Sequence, residues 1–162
     1  MVAEELLNLV SCCAHRVFGE RRNQRRLEFL LKGFIEGRGL GVLLHAPLDV
    51  VLGERDVVQP DIMFISKERF GIISEEEIRG APDLIVEIVA PATERRDKTY
   101  KKTLYARHGV KEYWIVDPVR EEVEIYRLGE MGFEEFGVYK RWDKIGSPLL
   151  PGLEIGLSYV FS

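Results

Sequence analysis

The order of apolar and polar positions divides the chain into a long helix, a run of strands, a second helix and further strands. From about residue 4 to 36, apolar side chains recur three and four apart. Phe18, Leu27, Leu30, Leu31 and Phe34 carry most of this amphipathic helical pattern. Gly37 and Gly39 supply its stop. Strands are predicted at about 41–45 and 48–52, with Pro47 between them, and GERD at 53–56 reads as the turn into an extended piece, Val57 to Ser66. Within that piece Ile62-Met63-Phe64-Ile65 is continuous rather than alternating, as expected of a strand covered on both faces. A short helix is predicted over 74–79, where Ser74 and Glu77 have capping-box spacing.

Leu84-Ile85-Val86-Glu87-Ile88-Val89 is the most strand-like stretch, apolar except for Glu87. A helix is predicted from about 94 to 108, ending at Gly109, and then a strand at 112–116 stopped by Asp117-Pro118. A hairpin partner follows at 122–128, and an edge strand at 136–142. The tail, 148–162, is apolar and turn-rich and should pack back on the body. Strand, helix and strand in the middle with hairpins outside predict a mixed α/β fold around a central sheet.

Length bounds this to one domain over 1–162, with a helical part at 1–38. No window holds the roughly 18–20 apolar residues of a membrane-spanning helix. Acids in MVAEELLNLV argue against an export signal. Adjacent Cys12 and Cys13 do not suit a disulfide, so a reducing cytoplasm is the expected location. The net charge of −4 is unhelpful for gripping nucleic acid, although one basic face can coexist with an acidic remainder. Basic residues cluster at Arg21-Arg22 with Arg25-Arg26, and at Arg95-Arg96 with Lys98 and Lys101-Lys102. The plain reading of each run is a solvated helix face.

The informative residues are acids within apolar strands. Asp61 follows Pro60 and precedes Ile-Met-Phe-Ile, and Glu87 is central in Leu-Ile-Val-Glu-Ile-Val. Burying a carboxylate costs several kcal/mol unless something pairs with it. Either each acid meets an arginine or caps a helix, or the two converge on a hard cation such as magnesium. Lys98, Lys101 and Lys102 lie on the helix after the Glu87 strand, where an ammonium group could reach such a site. Asp83, four residues before Glu87, would share its face from about 13 Å away, which is too far for one ion, and reads as the opening residue of the strand, with ligation through water as the alternative.

Other chemistries find less support. His15, His45 and His108 lack a second ligand at useful spacing, which disfavours zinc, and His108 reads as a helix-end residue. No serine or cysteine has a nucleophile's surroundings, and no glycine pair forms a phosphate loop. Tyr113-Trp114 reads as core packing rather than a base-stacking platform. The few side-chain amides (Asn8, Asn23, Gln24, Gln59) weakly suit a heat-adapted source.

The string GAPDLIVEIVAPATERRDKTYKKTLYARHGVKEYWIVDP resembles the signature of the Uma-two family of restriction-endonuclease-like proteins. APLDVVL, VVQPDIMFIS and PLLPGLEIGLSYVF extend the likeness over residues 40–162. The resemblance implies a restriction-endonuclease-like core whose catalytic lysine has moved from strand to helix. It gives Asp61 and Glu87 as the acids, the Ile88 carbonyl as a further metal ligand, Lys101 as the migrated lysine and Lys98 as its alternative. Val89 stands where a strand lysine would be. The implied activity is hydrolysis of nucleic acid, DNA foremost, with Mg2+ or Mn2+. The other reading is a binding or assembly module without turnover, which the acidic charge and the missing strand lysine favour. The amino-terminal third departs from the family pattern. His15 or Asn23-Gln24 are the stand-ins for its helix-opening histidine, and Glu20, Glu28 and Glu36 are candidate helix acids. The apolar Tyr113–Val116 strand and the carboxy-terminal segment, read as exposed, predict a homodimer.

Overall fold

The computed structural model describes the backbone of residues 2–90 and 94–162, and the side chains of 19–90 and 98–162. Cys12, Cys13, His15, Phe18, Arg95 and Arg96 therefore lie outside the described side chains.

Helix α1 runs Val2–Gly37 and turns back through Gly39, whose positive φ of 61° suits glycine. Strands β1 (Gly41–His45), β2 (Val50–Gly53), β3 (Asp56–Val58) and β4 (Ile62–Ser66) follow. After a 3₁₀ helix at Lys67–Ile72 come β5 (Ile78–Arg79) and β6 (Leu84–Ile88). Helix α2 (Glu94–Arg107) leads to β7 (Glu112–Asp117), β8 (Glu122–Gly129) and β9 (Gly132–Lys140). The short strands β10 (Lys144–Ile145) and β11 (Ile155–Gly156) and the helical turn α3 (Leu157–Val160) close the chain.

The main sheet has the order β1-β4-β6-β7-β8-β9. Its only parallel pair among the described strands is β6–β7, joined by α2, as a parallel pair requires a long crossover. The remaining neighbours in this sheet are antiparallel. The architecture is a mixed α/β fold with a central mixed sheet, flanking helices and an outer β8–β9 hairpin.

Strand pleating sorts side chains onto two faces. Ile62, Phe64, Leu84, Val86, Trp114 and Val116 pack in one layer with Leu27, Leu31 and Ile35 of α1. Met63, Ile65, Ile85, Tyr113 and Ile115 point the other way, onto Tyr105 of α2 and the β2–β5 side of a small second sheet. Both faces are covered, which explains why β4 and β6 read as unbroken apolar runs.

Two local expectations change. Residues 57–66 do not form one extended element: Pro60 separates β3 from β4, which belong to different sheets. Residues 74–79 are not a helix. The Ser74 N–H and hydroxyl both donate to the Glu77 carbonyl, closing a turn. Ile78 and Gly80 then donate to Asp49 and Val51, so pairing with β2 overrides the local capping signal.

The motive for a homodimer is also corrected. Tyr113–Val116 is buried within the chain, and so are Leu150, Leu153, Ile155, Leu157, Val160 and Phe161 of the tail. Glu112 fastens that tail, accepting hydrogen bonds from Trp114 Nε1 at 2.6 Å, Leu149 N–H at 2.9 Å and the Ser147 hydroxyl at 3.0 Å. No helix among the described residues is long and apolar enough to cross a membrane.

Candidate metal centre

The β4–β6 register builds the site. Ile62 pairs with Val86 and Met63 with Ile85, so the next step of the same ladder sets Asp61 opposite Glu87. Both carry the parity of Met63 and Ile85, and so both face the α2 side. Residues directly opposed in an antiparallel pair have Cβ atoms about 5 Å apart. Asp61 is also stitched to β6, since its Oδ2 accepts the Ile88 N–H at 2.7 Å.

That bond replaces a rung of the ladder. Continuing the register puts Pro60 opposite Ile88, and proline has no N–H to give. A strand residue presents its N–H and C=O toward the same neighbour. The Ile88 carbonyl therefore faces the β4 side, where the ladder supplies no backbone donor.

Glu87 is buried at 5% exposure, yet has two partners on α2. The Tyr105 hydroxyl donates to Oε1 at 2.6 Å, and Lys101 Nζ stands 3.1 Å from the same oxygen. Lys101 and Tyr105 are four residues apart and so share a helix face. Burial raises the Glu87 pKa, and the nearby Asp61 charge adds to this. Lys101 and Tyr105 oppose the rise without cancelling it. Burial and the Glu87 charge also push the Tyr105 phenol up, which keeps it a proton donor.

One oxygen of each acid, Asp61 Oδ1 and Glu87 Oε2, accepts no hydrogen bond from a described side chain or backbone group. Two such oxygens on one face, beside a carbonyl that receives no hydrogen bond from the β4 ladder, make an all-oxygen donor set suited to a hard divalent cation. Among the described residues, no three His, Cys, Asp or Glu side chains gather as a larger metal cluster.

The other candidates fall elsewhere. Lys98 turns toward Glu124 on β8 at 3.8 Å rather than toward Glu87. Asp83 is fully buried at the opposite end of β6, held by Ser66 N–H at 2.8 Å and Lys111 Nζ at 2.8 Å, with Arg69 at 3.5 Å. Burial raises its pKa, but the Lys111 and Ser66 bonds outweigh this and hold it below the usual carboxylate range. Asp83 opens the strand, as expected, within a structural ion-pair network. His108 follows the last residue of α2, with Nε2 2.9 Å from Asp56.

On α1, Gln24 donates to the Asp61 carbonyl at 3.3 Å and to Glu28 at 3.0 Å, bringing Glu28 nearer the site than Glu36, which pairs with Lys32. Glu20 is half-buried one turn before Gln24. Asn23 faces the core, and its buried Oδ1 has no partner among the described residues. Tyr105 carried no assigned role in the sequence, and Gln24 entered only with Asn23 as a stand-in for a helix-opening histidine, not as a partner of Asp61. The four-residue step from Lys101 was the available signal for Tyr105; Gln24 had none, because its contact spans 37 positions.

Comparison with known proteins agrees with this geometry at the level of fold. The chain is similar to a solved structure from Anabaena variabilis ATCC 29413, titled as a putative nuclease belonging to DUF820. The TM-score is 0.71 at 20% identity, over 88% of this chain and 80% of that one. No curated protein matches the chain. A family model named Uma2, described as "Putative restriction endonuclease", matches residues 19–158 and so takes in α1 from Gly19, the main sheet and α2. The chain, with its acids on neighbouring strands and its lysine on the following helix, belongs to the Uma2 family.

Proposed function

We propose that the protein is a divalent-metal-dependent endonuclease that hydrolyses phosphodiester bonds of nucleic acid, DNA foremost. The observation that carries this reading is the register that opposes Asp61 and Glu87 on one face, with Lys101 Nζ 3.1 Å from Glu87. Asp61, Glu87 and the Ile88 carbonyl would hold Mg2+ or Mn2+. When bound, such an ion acts as a Lewis acid on phosphoryl oxygen and lowers the pKa of its water.

The remaining work belongs to the chain. Asp61 is kept in one orientation by the Ile88 N–H, and Tyr105 restrains Glu87 through Oε1 while making no bond to Oε2. Lys101 offsets the charge of a buried carboxylate and has a partly exposed ammonium group. From that position it orients an attacking water and steadies charge growing on the phosphoryl oxygens.

With Mg2+ or Mn2+, purified protein should nick supercoiled plasmid. Asp61→Asn and Glu87→Gln should each reduce nicking by at least two orders of magnitude with the fold retained. Equal nicking by the double variant would sink the assignment. The second reading, a module without turnover, is favoured by Lys101 and Tyr105 already occupying one oxygen of Glu87. Calorimetric titration with Mn2+ separates the two: saturation below millimolar supports the enzyme, and its absence supports the module.

A further inference from the structure

We infer that the outer face of α1 at Arg21, Arg22 and Arg25 is a phosphate-binding track that seats nucleic acid. This inference rests on the endonuclease reading and adds where the substrate backbone lies.

Two independent observations point there. All three side chains are exposed, and none has a hydrogen bond, ion pair or ring contact among the described residues. Exposed cations elsewhere are commonly matched, as in Arg79–Glu77, Arg127–Glu134 and Lys144–Glu154. Even the adjacent Arg26 is used structurally, bonding the Tyr159 and Ser162 carbonyls and stacking 5.2 Å from the Tyr159 ring. Three unmatched guanidinium groups within five positions are therefore a local concentration of positive charge on a chain of net charge −4.

The second observation is location. Gln24 lies within this run, and its side chain donates to the Asp61 carbonyl. Arg21 and Arg25 are one helical turn apart, about 6 Å, and run along one side of Gln24. The track thus lies on the helix stretch that is tied to the main chain of Asp61, on the other side of the sheet from the carboxylates. Guanidinium groups suit this partner because their planar donors engage phosphate oxygens in pairs. Such contacts carry no sequence information, so the track contributes register and affinity rather than recognition of particular bases.

The test is binding of a fluorescent 20-base-pair DNA duplex by anisotropy in Ca2+, across a salt series. Wild type is compared with Arg21→Gln/Arg22→Gln/Arg25→Gln and with a charge-matched control, Arg79→Gln/Arg127→Gln/Lys144→Gln. The track predicts that the helix variant loses about 2–3 from the slope of log affinity against log salt and binds roughly tenfold or more weakly. The control should retain the wild-type slope. Circular dichroism verifies that all three proteins are folded. An unchanged slope in the helix variant overturns the track, as does an equal loss in both variants, which would mark a general charge effect. Arginine-dependent binding to phosphatidylserine vesicles without DNA binding would also overturn it. Wild-type hydrolysis of bis(4-nitrophenyl) phosphate with Mn2+ is measured separately. It probes the metal centre without needing a track, so persistence of that activity confines the failure to this inference.

Discussion

At the scale of single residues, the decisive contrast lies between two acids, Asp83 just before β6 and Glu87 within it. Asp83 receives two short donors and is held ionised, whereas Glu87 is buried with its partners crowded onto one oxygen. A raised carboxyl pKa means that folding favours the protonated form. The associated stability is present below the ordinary value of 4.5 and is lost as pH rises through the folded value. Glu87→Gln removes this loss while keeping an acceptor for Tyr105. It should therefore stabilise the metal-free protein at pH 7 by about 1 kcal/mol, with a smaller gain at pH 4, as an active-site charge given up for stability would. Urea denaturation at the two pH values checks this, and a variant less stable than wild type at pH 7 contradicts it. Tyr105→Phe removes the 2.6 Å bond to Glu87 and should cost about 1 kcal/mol, because the buried Oε1 loses one of its two donors and keeps Lys101. The same variant should bind Mn2+ more weakly by calorimetry, since Glu87 loses a restraint on its carboxylate. The acids were legible in the sequence because charge stands out in an apolar strand. The pattern of residues alone did not separate Lys101 from Lys98, although the family resemblance put Lys101 first. Both are on the helix, and only the docking of α2 sends one to Glu87 and the other to Glu124.

At the scale of elements, strands and helices were legible wherever local pattern and tertiary setting agree. The continuous apolar runs became the doubly covered strands β4 and β6, and the Gly109 stop coincides with a positive φ of 84° just after α2. Misreadings arose where a distant partner decided the outcome. Residues 78–79 became a strand because β2 offers them a parallel edge, and 113–116 are internal because the tail packs on one face of β7, Tyr105 of α2 on the other, and β8 pairs along its edge. The tail shows how much one side chain can organise. Every hydrogen bond described at the Glu112 carboxylate is an accepted one, and two of the donors are N–H groups that cannot reverse. Glutamine would set an amide N–H2 against one of them. Glu112→Gln should thus lose about 1–3 kcal/mol in urea despite removing a buried charge. In a Trp142→Phe background, emission then reports Trp114 alone, which is fully buried where Trp142 is 80% exposed. The Glu112→Gln transition should appear at lower urea in that signal, and an unmoved midpoint would contradict the role given to Glu112.

For the whole molecule, the buried acids combine into a pH profile. Asp83 contributes stability that is present above its ordinary 3.8 and is lost as pH falls through its lower folded value. Glu87 and Glu112, both raised chiefly by burial, contribute stability that fades above 4.5. These three groups together place maximum thermal stability on the acid side of neutrality, and calorimetric scans from pH 3 to 9 should locate it there. A maximum at alkaline pH would show that other groups dominate. The bond from the Ile88 amide to Asp61 has one more consequence. Since a backbone rung already fixes this carboxylate, the pocket is assembled during folding and does not wait for an ion to draw it together. Chelation by EDTA should leave the melting temperature where it was, while added Mn2+ should raise it in proportion to the logarithm of its concentration. The Ile88 amide proton then becomes a resident sentinel. It should exchange with solvent as slowly as the sheet interior in wild type and in Asp61→Asn, and far faster once Asp61→Ala leaves that rung empty.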